Sequence, residues 1–180
     1  MTRVAVVIPT DIPTSMTSAE GEALIALADG RSVLELGAWQ GFSTVCLAQS
    51  AEFVLSVDWH QGDDHAGHGN TLVPYLQNLQ RYGLLASGQL AVHVGRFEHI
   101  CSLLRDDSFD GVFVDGLHDY ASVRRDADEA KRLAREWVAF HDYGVEASNA
   151  GGLEFGVAQA VDEVFGEPGE VVDTLAIVRF

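Results

Sequence analysis

Two glycines and a nearby aspartate have the residue types and spacing of a small-molecule binding site. Residues 33–44, VLELGAWQGFST, run from an apolar, strand-like segment through Gly37 and Gly41 into helical spacing. Because glycine lacks a Cβ, both positions can adopt positive φ and let a ligand approach the backbone. The free N–H groups of the first helical turn favour a carboxylate or phosphate. We therefore expect an anionic end of a ligand at this turn.

Asp58 ends the next predicted strand, directly after Ser56 and Val57. A carboxylate there can accept hydrogen bonds from both hydroxyls of a ribose, and each charge-assisted bond contributes roughly 1.5–3 kcal/mol. The turn and the aspartate together predict a pocket for a nucleoside cofactor. The turn by itself is also compatible with a tight strand-to-helix connection that binds no ligand.

The spacing of this turn disfavours two other classes of site. A dinucleotide fingerprint has three closely spaced glycines, whereas Trp39 stands here where a pyrophosphate needs a small residue. An NAD-linked oxidoreductase is therefore a less favoured alternative. Ser43 does not stand in a G-x-S-x-G elbow, so a hydrolase would lack its nucleophile.

Alternating strands and helices must position these residues. Residues 17–20, TSAE, have the form of a capping box and predict an opening helix that Gly30 ends. Strand–helix pairs are then predicted at 32–36 and 41–49, 53–57 and 70–82, 90–94 and 97–105, 110–114 and 119–134, and 137–140 and 153–165. This order predicts a doubly wound α/β fold with a parallel sheet, and residues 60–70 form one long polar loop within it.

Three later segments carry a resemblance to a known family. They are residues 58–67, DWHQGDDHAG, residues 109–120, FDGVFVDGLHDY, and residues 138–144, VAFHDYG. With the E-x-G-x-x-x-G turn, they resemble class I S-adenosylmethionine-dependent methyltransferases, in a subgroup that modifies sugars or secondary metabolites. The resemblance implies a Rossmann-like methyltransferase fold. Its sheet would be seven-stranded and mostly parallel, with helices on both faces and an antiparallel C-terminal strand.

The resemblance also implies S-adenosylmethionine as the cofactor. Glu35, Gly37 and Gly41 would line its methionine portion, and Asp58 and Trp59 would hold the ribose. Arg96 and Phe97 would lie near the adenine, although Phe97 also fits the core face of an amphipathic helix. The full set expected to bind the cofactor is Glu35, Gly37, Ala38, Gly41, Ser43, Asp58, Trp59, Arg96, Phe97 and Asp115.

Asp115, His141 and Asp142 follow adjacent predicted strands, so their side chains can converge above the sheet. Related O-methyltransferases hold Mg²⁺ with carboxylates at such positions. His141 departs from that pattern, because imidazole suits Zn²⁺, Mn²⁺ or Fe²⁺ better than Mg²⁺. A divalent metal is therefore a hypothesis, and the alternative is that both aspartates accept hydrogen bonds from loops while His141 supports them.

His118 and His141 are the catalytic candidates. An imidazole with an unperturbed pKa of about 6.5 can take a proton from a hydroxyl at neutral pH, and His118 is the preferred general base. The alternative is that His118 caps the following helix. The expected reaction is O-methylation of a small hydroxylated molecule, a sugar or a secondary metabolite.

A module that binds the cofactor without catalysis is the rival interpretation of the same motifs. Only one helix precedes the sheet, so the crevice would be open unless a partner subunit covered it. A homo-oligomer is therefore a second expectation.

Length and composition set the outer bounds. We expect one domain over residues 1–180, with an N-terminal segment and helix in 1–30 and the core in 31–180. No apolar run approaches the roughly 18–20 residues of a membrane helix, and residues 4–8 are too short for a signal peptide, so a cytoplasmic protein is expected. Cys46 and Cys101 are far apart in the sequence and form no C-x-x-C motif, so we expect both to be buried apolar residues.

The charge balance bears on the partners of the chain. Its 11 basic and 27 acidic residues give a formal net charge of −16, which disfavours DNA and RNA. Arginines between 124 and 135 alternate with Asp126, Asp128 and Glu129, which indicates a solvated helix face. A negative field attracts a cationic sulfonium cofactor.

Overall fold

The computed structural model describes residues 7–63, 67–145 and 155–180, and its main sheet has seven strands. The strands are β1 Ser32–Leu36, β2 Phe53–Asp58, β5 Leu90–Val94, β6 Phe109–Val114, β7 Ala134–Phe140, β8 Glu170–Val172 and β9 Leu175–Arg179. Across the sheet, their order is β5-β2-β1-β6-β7-β9-β8. Strand β9 is antiparallel to β7 and to β8, whereas the pairs from β5 to β7 are parallel. The sequence-based fold class is confirmed.

Six α-helices of the described residues pack on the two faces of this sheet. They are α1 Ser18–Ala28, α2 Phe42–Ala48, α3 Leu72–Arg81, α4 Phe97–Cys101, α5 Tyr120–Leu133 and α6 Val157–Phe165. One apolar core joins α1, α2 and α3 to Val33 and its side of the sheet. The other core joins α4, α5 and α6 to Leu34 and Leu36. The alternation of side chains along β1 thus serves both layers.

Some element boundaries differ from the sequence-based prediction. Helix α4 ends at Cys101 rather than at residue 105. Strand β7 begins at Ala134, directly after α5, because no glycine or proline separates the two elements. The predicted polar loop at 60–70 contains a small hairpin, formed by β3 Gly62–Asp63 and β4 Gly67–His68. Residues 153 and 154 of the last predicted helix lie outside the described residues.

The N-terminal helix is fixed by the expected capping box. The Thr17 hydroxyl accepts a hydrogen bond from the Glu20 amide, and the Glu20 carboxylate accepts one from the Thr17 amide. None of the helices in the described parts of the chain is both long and apolar enough to cross a bilayer.

The strand order reverses next to β1, which has β2 on one side and β6 on the other. In such sheets, ligands bind outside the carboxyl ends of the strands at this switch point. The residues that follow β1, β2, β6 and β7 therefore meet at the same edge of the sheet. The fold brings together there the segments that the sequence singled out.

Candidate active site

A cavity of about 1070 Å³ lies at this edge of the sheet. All the sequence-predicted cofactor residues line it except Glu35 and Gly41. His118 and Asp142 also line the cavity, whereas His141 does not. We call this space the main cavity.

Gly37 is required by the packing of the strand ends. Its φ is +99°, and a Cβ at this position would lie 1.9 Å from the carbonyl oxygen of Asp115. The backbone after β6 therefore fills the space where a side chain would stand. The expectation that Gly37 leaves room chiefly for a ligand is incomplete, because the neighbouring strand needs that room.

Gly41 begins helix α2 with a φ of +94°, and a Cβ there would lie 3.1 Å from the ring of Tyr75. Its contact is with α3 and not with the main cavity. The sequence suggested a ligand-facing glycine, whereas the structure gives Gly41 a role in helix packing.

Asp58 closes the glycine turn. Its Oδ2 accepts hydrogen bonds from the amides of Ala38 at 2.7 Å and Trp39 at 2.8 Å, and its Oδ1 accepts one from the His60 amide at 2.5 Å. Trp39 adopts a φ of +43°, a conformation that is strained for a large side chain. The carboxylate thus holds Trp39 in a conformation that would otherwise be unfavourable, at the wall of the main cavity.

Aromatic and cationic side chains form another part of the wall. The guanidinium carbon of Arg96 lies 4.8 Å from the centre of the Trp59 ring, within the range of a cation–π interaction. Phe97 lines the cavity and also packs against the core beside α5. Phe97 therefore belongs to the core, as one interpretation expected, and its contact with adenine stays a prediction.

Glu35 lies beneath the turn. It is fully buried, and its Oε2 accepts a hydrogen bond of 2.6 Å from the Thr44 hydroxyl. Its Oε1 has no hydrogen-bond partner among the described residues. Burial raises the pKa of Glu35 to about 7, against the opposing effect of the nearby Ser56, Thr44 and Ser43 hydroxyls. Because side chains alternate along β1, Glu35 points into the α2 side of the core instead of the cavity.

Asp115, His118, His141 and Asp142 come together as an acid–histidine cluster. Nε2 of His118 lies 2.9 Å from Oδ2 of Asp142 and 3.7 Å from Oδ1 of Asp115. Burial of the His118 ring opposes protonation, but the two carboxylates outweigh it and raise the pKa of His118 to about 9. In the free protein the ring is therefore mostly protonated at neutral pH, unlike the unperturbed imidazole expected from the sequence.

His141 is the buried member of the cluster. It is 3% exposed, and its Nδ1 lies 3.4 Å from Oδ1 of Asp115 and 3.5 Å from Oδ2 of Asp142. Its Nε2 lies 3.5 Å from Oε2 of Glu20 in helix α1. Burial again opposes protonation, and these carboxylates raise the pKa of His141. The structure therefore places His141 behind the carboxylates, where it can support them without lining the cavity.

Glu20 was not singled out by the sequence beyond its capping box. Its Oε1 accepts hydrogen bonds from the amide and hydroxyl of Thr174, at 2.9 and 2.8 Å, in the turn between β8 and β9. One buried carboxylate therefore connects the first helix, the C-terminal hairpin and His141.

A cation could be held by Asp115, His118 and Asp142. One ligand atom from each lies within 4.8 Å of the others, and no other three histidine, cysteine or acidic side chains of the described residues come together in this way. His118 thus takes the place that the sequence-based hypothesis gave to His141. Two carboxylates and an imidazole suit Mn²⁺, Fe²⁺ or Zn²⁺ better than Mg²⁺.

Several residues that line the cavity were not indicated by the sequence. Thr14, Ser15 and Met16 reach the cavity from the segment before α1. Phe155 stacks on the His118 ring, with 4.9 Å between ring centres. These residues lie far apart in the chain and belong to no motif, so only the fold brings them together.

Comparison with known proteins identifies the family. A family model described as a methyltransferase domain matches residues 34–143. The chain belongs to this methyltransferase family. The resemblance read from the sequence motifs is therefore confirmed, and the main cavity is the cavity of a methyltransferase domain.

Solved structures share the fold of this methyltransferase. Cofactor-bound Rv0187 from MTB is 26% identical, with a TM-score of 0.62, over 89% of this chain and 72% of that chain. The O-methyltransferase TomG from Streptomyces achromogenes, involved in tomaymycin synthesis and in complex with SAM, is 20% identical with a TM-score of 0.63, over 83% and 67%.

An O-methyltransferase from Bacillus cereus in complex with SAH is 17% identical with a TM-score of 0.63, over 86% of this chain and 71% of that chain. At such low identity, it and TomG support the fold alone. No curated protein sequence matches the chain.

Proposed function

We propose that this methyltransferase binds S-adenosylmethionine in the main cavity and transfers its methyl group to an oxygen of a small hydroxylated molecule. One observation carries the proposal: the glycine turn with Asp58 and the pair of His118 with Asp142 line the same cavity. A nucleoside-binding turn and an imidazole–carboxylate pair thus line one cavity. Our choice of cofactor and acceptor atom follows two O-methyltransferases of the same fold, one in complex with SAM and the other with SAH.

The cofactor is proposed to lie along the carboxyl ends of β1 and β2. Its methionine end would lie at Gly37 and Ala38, its ribose at Asp58 and its adenine near Trp59 and Phe97. A carboxylate offers about four lone-pair sites. Three backbone amides occupy the Asp58 carboxylate, so the remaining site can accept one ribose hydroxyl and not the two that the sequence suggested.

The acceptor hydroxyl is proposed to lie against His118, Asp115 and Asp142. Holding it in line with the sulfonium methyl supplies about 7–11 kcal/mol of barrier reduction through alignment. Because the free His118 ring is mostly protonated, it would release that proton to solvent before it takes the proton of the acceptor hydroxyl, and Asp115 and Asp142 would then stabilise the imidazolium that forms. His141 would keep the carboxylates in place from behind.

A divalent cation fits Asp115, His118 and Asp142 and would act there as a Lewis acid on the acceptor hydroxyl. As a metal ligand, His118 could not also take the proton. His118 would therefore act as a metal ligand where a cation is bound and as a proton acceptor where none is bound.

The acceptor is proposed to be a sugar or secondary metabolite. The net charge of −16 favours a small molecule over a nucleic acid.

The interpretation as a non-catalytic binding module assumed that the crevice is open on its N-terminal side. In the structure, Thr14, Ser15 and Met16 line the cavity from that side. A homo-oligomer is therefore not needed to cover that side.

Calorimetric titration with S-adenosylhomocysteine tests the cofactor, and incubation with methyl-labelled S-adenosylmethionine and a panel of hydroxylated acceptors tests the reaction. We expect saturable binding and label in an O-methyl ether. Parallel reactions with Mn²⁺, with Mg²⁺ and with a chelator identify the metal requirement. Absence of S-adenosylhomocysteine binding would contradict the proposal, and binding without product under every metal condition would favour the non-catalytic module.

A further inference from the structure

Asp126 is a buried carboxylate at the wall of the main cavity. It lies on helix α5, is 5% exposed, and lines the cavity together with Phe97 and Glu98. The sequence placed it on a solvated helix face, and the structure corrects that interpretation. Its burial and its position at the cavity wall distinguish it from the exposed acids of the same helix.

The described residues donate no hydrogen bond to this carboxylate, and its oxygens are not completely enclosed by protein. Its nearest cationic neighbour is Arg125, whose Nε lies 3.8 Å away and whose side chain is 53% exposed. Burial raises the pKa of Asp126 to about 7, despite the opposing charge of Arg125. A carboxylate that is this buried and accepts no hydrogen bond from the described residues has its lone pairs available to a ligand in the cavity.

The surroundings of Asp126 suit a flat, amino-bearing heterocycle. Phe97 offers an aromatic face, and the carboxyl group offers a hydrogen-bond acceptor on the same wall. A smaller recess of about 110 Å³, lined by Phe97, Cys101 and Asp126, adjoins this position. Near neutral pH the protonated group can also donate, and could thus bind the amino group and the adjacent ring nitrogen of an adenine together.

We propose that Asp126 accepts a hydrogen bond from the 6-amino group of the cofactor adenine, and so selects adenine. The proposal rests on the proposed function, because it requires S-adenosylmethionine in the main cavity. It gives a specific role to a side chain on α5, outside the motifs of the glycine turn and the strand ends.

Binding of two probes tests this role. The probes are S-adenosylhomocysteine and its analogue in which hydrogen replaces the 6-amino group. Each is titrated into the wild type, Asp126→Leu, Asp126→Asn and the control Asp128→Asn, an exposed acid on the same helix. The wild type should prefer the amino-bearing probe by roughly tenfold or more.

Asp126→Leu should bind S-adenosylhomocysteine correspondingly less tightly and should not distinguish the two probes. Asp126→Asn retains an acceptor oxygen and should keep most of the preference, and Asp128→Asn should match the wild type. Melting temperatures of the ligand-free variants separate recognition from folding. A carboxylate with a merely structural role would make Asp126→Leu less stable, whereas our assignment predicts equal or greater stability.

Two results would overturn the inference. If the wild type binds S-adenosylhomocysteine but Asp126→Leu retains its affinity and preference, the adenine assignment fails and the proposed function stands. If the wild type binds neither probe, both fail.

Discussion

Nε2 of His118 lies 2.9 Å from Oδ2 of Asp142, which joins the loop after β6 to the end of β7. Asp142 adopts a φ of +58°. A non-glycine residue in this conformation is strained, and such strain is often found at functional sites. The contact is therefore the first place to test the proposed reaction.

Replacing His118 by alanine should lower turnover by about 10²- to 10⁴-fold, the usual contribution of a general acid–base group. Binding of S-adenosylhomocysteine should stay within a few-fold of the wild type, because the glycine turn and Asp58 are unchanged. Single-turnover kinetics and calorimetry measure the two effects. His99→Ala, on the exposed side of α4, is the control. Unchanged turnover in His118→Ala would remove His118 from the mechanism.

Gly37→Ala should destabilise the protein more than Gly30→Ala. Both glycines have positive φ, but a Cβ at Gly30 meets nothing within 4 Å, whereas at Gly37 it would collide with the Asp115 backbone. We expect a cost of about 1–2 kcal/mol for Gly30→Ala from conformation alone. Urea denaturation measures both variants. Equal free energies of unfolding would show that the backbone at Asp115 relaxes freely.

Glu20→Ala should reduce the free energy of unfolding by about 3 kcal/mol, because it removes buried hydrogen bonds and leaves a charged imidazole without one of its partners. The lost contacts are those to Thr17, Thr174 and His141. Glu22→Ala changes an exposed acid on the same helix and should stay within about 0.5 kcal/mol of the wild type. Similar values for the two variants would contradict a connecting role for Glu20.

Glu35 should make the wild type less stable as the pH rises from about 4.5 to about 7. The unfolded chain releases this proton near the ordinary value of 4.5, whereas the folded chain retains it to about 7, so folding is favoured at the lower pH. Glu35→Gln removes this dependence and should gain up to about 3 kcal/mol relative to the wild type between pH 5 and pH 8.

Urea denaturation at pH 5 and at pH 8 measures the free energy of unfolding of the wild type and of Glu35→Gln, with Glu22→Gln as the exposed control. Parallel pH profiles for the wild type and Glu35→Gln would show that Glu35 is ionised inside the folded protein.

Local patterns were sufficient to predict the elements around the cavity. The apolar run of β1, the glycine turn and the capping box of α1 each depend on neighbours in sequence, and each lies where the pattern predicted. The sequence did not predict element boundaries that no glycine, proline or capping residue marks. Leu133 passes directly into Ala134, and only pairing with β6 shows that a strand begins there.

The amino-acid sequence by itself determined the family, the strand–helix order and the segments that follow the strands. Tertiary structure alone decided which histidine lines the cavity. Both His118 and His141 stand beside aspartates in the chain, but Glu20 of the first helix lies behind His141 and leaves His118 at the cavity wall. It also decided that Asp126 is buried while Asp128 is exposed. Such choices depend on contacts between distant segments, which spacing along the chain does not encode.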